Sequence, residues 1–61
     1  MYEFDRIENG VVVGKVLGTI SYIKLIAMSK YENSTFVNKT EFDGMVRTIT
    51  ITADYITTSL Q

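Results

Sequence analysis

"GVVVGKVLGTISYIKLIAMSK", residues Gly10 to Lys30, is the most apolar stretch of the chain. It could cross a membrane, form a buried helix, or make strands interrupted at glycine. A span needs about 20 mostly apolar residues. Lys15 and Lys24 fall well inside the stretch. A lysine near the bilayer centre costs about 2.5–3.5 kcal/mol, so two of them offset most of what the valines and isoleucines gain. The membrane reading is therefore set aside. One helix over the whole stretch is equally disfavoured. Val11, Val12 and Val13 are β-branched, and Gly14 and Gly18 each cost about 1 kcal/mol inside a helix.

A shorter helix, over about 20–32, competes with a strand. Lys24, Leu25, Ala27 and Met28 are good helix formers, Thr19 could cap the start, and Asn33 could end it. Against it, Tyr22, Leu25 and Met28 lie off the face made by Ile20, Ile23 and Ala27. Against the strand, alternation fails at Leu25-Ile26-Ala27-Met28, so both faces would need cover. The β-branched residues tip the reading towards a strand over Ile20–Ser29, with the helix kept as the alternative.

Outward from this segment, the flanks carry clearer signals. In "TFVNKTEFDGMVRTITITA" the pair Asp43-Gly44 suits a two-residue type I′ turn, in which both central residues take positive φ. That turn sets Phe42 opposite Met45, Thr40 opposite Arg47, Asn38 opposite Ile49 and Phe36 opposite Ile51. One face then gathers Phe36, Phe42, Met45, Ile49 and Ile51, and the other is mostly threonine and charge. A slip of one residue would mix the two sets, which pins the register. Near the start, Asn9-Gly10 separates "YEFDRIE" from "VVVGKVL" and predicts a second tight hairpin. Its simplest register puts Tyr2, Phe4, Val11, Val13 and Leu17 on one face. Gly14, opposite Asp5 in that count, could mark a bulge.

The chain thus reads as a single small domain, residues 1–61, of the all-β class: an antiparallel meander or a five-stranded barrel built from two tight hairpins. The alternative is an α+β arrangement, ββαββ, with the helix across a four-stranded sheet. The tail from Asp54 onward could extend the last strand.

Composition limits the chemistry. The chain has no cysteine and no histidine, so it lacks disulfides, thiolate metal sites, the commonest metal ligand and the commonest general base. Six basic and seven acidic residues are spread along it without a basic run, which argues against duplex nucleic acid as a partner. "MYEFDRIE" is acidic where a secretory signal would be basic, so a cytoplasmic setting is expected. Glu3 and Asp5 share a strand face and could pair as carboxylates, although a solvated edge accounts for them. Ser21-Tyr22-Ile23-Lys24 has the spacing of a serine–lysine pair, a common chance pattern. No catalytic, cofactor or metal residue is assigned, and the chain is read as non-enzymatic.

A domain of this size buries only about 60% of the surface its unfolded form exposes. Without staples, self-association is the remaining support. The expected function is a non-enzymatic protein-binding or accessory module, inhibitory in one version, acting as a homo-oligomer. Its contacts would be Tyr22, Ile23, Leu25, Ile26 and Met28. The alternative is a small barrel that binds single-stranded nucleic acid by stacking bases on Tyr22 and Tyr31 beside Arg47 and Lys24 or Lys30.

Overall fold

The structure, a computed structural model, describes residues 1–60. Two hairpins flank a helix in the order β1 (Tyr2–Glu8), β2 (Val11–Gly18), α1 (Ile20–Ser29), β3 (Thr35–Phe42), β4 (Met45–Ile51) and β5 (Ile56–Leu60). The strands form one antiparallel sheet in the order β2-β1-β3-β4-β5. The sheet does not close, so the barrel version of the all-β reading is corrected to an open sheet. Among the described residues no helix is long and apolar enough to cross a membrane.

Both turns form as their sequences require. Asn9 and Gly10 take φ of 52° and 77°, and Asp43 and Gly44 take 55° and 79°. These are the left-handed conformations that glycine and asparagine or aspartate adopt most cheaply. The β3–β4 ladder runs in the expected register, from Phe42 opposite Met45 to Phe36 opposite Ile51.

The first hairpin departs from the simplest register. Ile7 pairs with Val12 but Arg6 pairs with Gly14, so Val13 is an extra residue, a β-bulge. Without it Lys15 would stand opposite Phe4 on the face that becomes the core. With it Phe4 meets Val16, Tyr2 meets Gly18, and Lys15 turns to the other face beside Asp5. Its Nζ lies 3.2 Å from Asp5 and 3.9 Å from Glu3. Burying an unpaired ammonium costs far more than one irregular ladder step. The same shift turns Leu17 away from the face shared by Tyr2 and Phe4, and Val11, Val13 and Leu17 are all exposed.

The central segment is helix, and the strand over Ile20–Ser29 is overturned. The fifth strand is supplied by the tail, Ile56–Leu60, which pairs with β4. Thr19 caps α1: its backbone is extended and its Oγ1 accepts from the Tyr22 amide at 3.1 Å. Ile23 and Ala27, one turn apart, are both fully buried against Phe4, Phe36, Ile49 and Ile51. Ile20, Ile26, Tyr2, Val16 and Tyr31 pack around that cluster. A sheet with one apolar face needs a lid, and a helical segment brings Ile20, Ile23, Ile26 and Ala27 to one side, whereas a strand would turn Ile20 and Ile26 to the face opposite Ile23 and Ala27.

Polar groups lock the helix in place. Lys24 donates to the carbonyls of Thr52 (3.1 Å) and Ala53 (2.9 Å), tying α1 to the β4–β5 turn. At the opposite end buried Ser34 joins Arg6 and Glu8: Ser34 Oγ donates to Glu8 at 3.0 Å, and Arg6 donates to Ser34 at 3.2 Å. The Arg6 guanidinium also lies 4.6 Å over the Tyr31 ring. The β1–β3 ladder is short, only Asp5–Val37 to Ile7–Thr35. Asn38 extends it with a side-chain bond to the Glu3 carbonyl at 2.9 Å.

Candidate functional site

The helix covers only half of the sheet face on which it lies. Ten residues of helix reach about 15 Å, whereas eight residues of strand reach about 26 Å. Phe36, Ile49 and Ile51 fall beneath the lid. Phe42 and Met45, on the same face of the same hairpin, fall beyond it. Phe42 is 81% exposed and Met45 44% exposed, although they share a face with the buried Phe36, Ile49 and Ile51.

Strand β5 adds to this uncovered half. Leu60 stands opposite Arg47, Thr58 opposite Ile49 and Ile56 opposite Ile51. Leu60 is 62% exposed, and every residue of β5 is exposed. The result is an open groove of about 430 Å³ lined by Thr40, Phe42, Met45, Arg47, Thr58 and Leu60. Its floor and walls are mostly apolar. Arg47 is its one charged lining residue, and among the described residues it makes no ion pair.

The opposite face carries a wider depression of about 620 Å³, lined by Glu3, Asp5, Lys15, Lys39, Thr48 and Thr50 with Ile7, Val12 and Val37. Its charges are partly compensated by Lys15 between Glu3 and Asp5. The threonines suit strands and suffice to explain a solvated sheet face.

The residues expected to form an interface are divided by the helix. Ile23 is fully buried in the core and is removed from any contact surface; Ile26 packs against the core. Tyr22, Leu25 and Met28 are exposed on the outer side of α1. Sequence reasoning missed the groove because the strand pattern groups Phe42 and Met45 with Phe36, Ile49 and Ile51 on one face and does not show how far along that face the cover reaches. Strand and helix rise per residue differ about twofold, and that mismatch was the available signal.

The other candidate constellations assemble only in part: Lys30 Nζ lies 5.5 Å from the Tyr31 ring centroid. Lys24 is held by the Thr52 and Ala53 carbonyls and has no bond to Ser21. Tyr31 packs edge-on against Phe36, with ring centroids 6.0 Å apart, near the start of β3. Arg47 lies opposite Thr40, towards the other end of that strand. No known family model, curated protein or solved structure matches this chain.

Proposed function

We propose that this protein is a non-enzymatic binding module that acts on another protein surface and self-associates, using the uncovered half of its sheet as the contact. The observation that carries this reading is Phe42, an aromatic left in water at the mouth of an apolar groove. Fully burying such a side chain is worth about 1.5–3 kcal/mol. Aromatic and methionine side chains around a single arginine also match the composition of interface centres.

A small core supports the same reading. Six apolar residues are buried, and Phe42, Met45, Ile56 and Leu60 remain exposed beside them. A second surface against this groove would complete a core that one chain builds only in part.

Light scattering at high micromolar concentration tests the reading with two variants. Phe42→Asp is expected to reduce assembly to monomer, while Leu25→Asp on the outer helix leaves it unchanged. A monomeric wild type would refute self-association. Loss of assembly in Leu25→Asp alone would transfer the contact to Tyr22, Leu25 and Met28.

A further inference from the structure

Strand β5 forms one free edge of the sheet and β2 the other. They differ in how they are defended. β2 carries the Val13 bulge and Lys15, two features that discourage a strand from docking. β5 reads Ile56-Thr57-Thr58-Ser59-Leu60, with no charge, no proline and no bulge. It lies directly beside the groove, so whatever pairs with it also meets Leu60 and Ile56.

The ladder phase shows which backbone groups face out. The Thr52 amide donates to the Tyr55 carbonyl at 2.9 Å, making Thr52 and Tyr55 a hydrogen-bonded pair. Antiparallel pairs alternate between bonded and non-bonded. Thr57 and Ser59 therefore turn their amides and carbonyls inward to β4. Ile56, Thr58 and Leu60 turn theirs outward to the free edge.

We infer that the occupant of this edge is a second copy of the chain, paired β5 to β5 antiparallel about a two-fold axis at Thr58. This deepens the self-association proposed above and rests on it. In this register Thr58 bonds Thr58 of the second copy, and Ile56 bonds Leu60 of the second copy, in both directions. All three outward residues are satisfied by residues of the same strand. Leu60 and the second copy's Ile56 then sit side by side on the groove face, so the two grooves join into one apolar strip. A two-fold axis sets each strand against its own reverse, and a charge at its centre would meet itself. β5 has none. The product is one continuous ten-stranded sheet.

Two substitutions separate strand pairing from groove contact. Thr58→Pro removes an outward amide that the chain's own sheet does not use, and proline is tolerated on an edge. It is expected to weaken the dimer about tenfold or more. Thr58→Cys is read under mild oxidation. Directly paired residues have Cα atoms about 5.5 Å apart, within disulfide range, and the chain has no other cysteine. Thr58→Cys is expected to yield a covalent dimer, while Thr57→Cys, set opposite Ser59 of the second copy, stays largely uncrosslinked. Dimerisation that survives Thr58→Pro but fails in Phe42→Asp, or equal crosslinking of the two cysteine variants, overturns the β5 axis and leaves groove-mediated binding standing. A wild type that is monomeric at high micromolar concentration overturns both. If Thr58→Pro does not fold, the two cysteine variants decide.

Discussion

Asn38 shows how one polar residue holds two hairpins together. Only three residue pairs join β1 to β3, and Asn38 adds a fourth tie by donating to the Glu3 carbonyl while accepting from Thr40 Oγ1 at 3.0 Å. Asn38→Ala leaves that carbonyl without its partner in a largely dry place, which costs about 1–3 kcal/mol. Urea unfolding should show the loss, and hydrogen exchange should show it first at Tyr2 to Phe4. Gly44 is a second residue of this kind. Its φ of 79° suits glycine, and nothing lies within 4 Å of an added Cβ, so Gly44→Ala tests backbone strain alone. A loss of about 1 kcal/mol is expected, with the register kept. Both turn glycines were legible in the sequence, because Asn-Gly and Asp-Gly name the conformation they adopt. Asn38 was legible only as a strand residue, since its partner is 35 positions away.

Among the elements, the helix is held by its N-terminal cap and by a polar tie from its middle. Thr19 supplies the N-terminal acceptor, and Lys24 fastens the segment to the β4–β5 turn. Thr19→Ala is expected to cost about 1 kcal/mol, measured as a lower midpoint in thermal unfolding. The Ile20–Ser29 segment was ambiguous on propensity because its β-branched residues and its good helix formers nearly balance. What decides is cover. Phe4, Phe36, Ile49 and Ile51 present one apolar face, and an edge strand in their own sheet leaves that face in water. The first hairpin teaches the same lesson through the Val13 bulge. Periodicity alone set Lys15 opposite Phe4, and the cost of burying its charge displaced it.

At the scale of the whole molecule, stability and assembly are linked. If the groove is filled by a second copy, apparent stability must rise with protein concentration, since only the folded chain binds. The midpoint of thermal unfolding for the wild type should increase over a hundredfold concentration range, and that of Phe42→Asp should stay constant. A concentration-independent midpoint in both would leave the chain standing on its six-residue core alone. Because the proposed contact is apolar, moderate salt should leave assembly intact. A steep loss with salt would point to charge pairing through Arg47 instead.

The linear chain determined its two reversals, the register of β3 on β4, the all-β class and the absence of thiol and imidazole chemistry. Each of these rests on neighbours a few positions apart: positive φ at the turns, side chains alternating across a strand, or the residue inventory itself. Tertiary structure decided that Ile20–Ser29 is a helix, that Val13 bulges, that the tail completes the sheet, and that Phe42 lies in water. Those outcomes turn on which surfaces must cover one another and how far each element reaches. A lid about 15 Å long over strands of about 26 Å leaves an apolar remainder whatever the local pattern says.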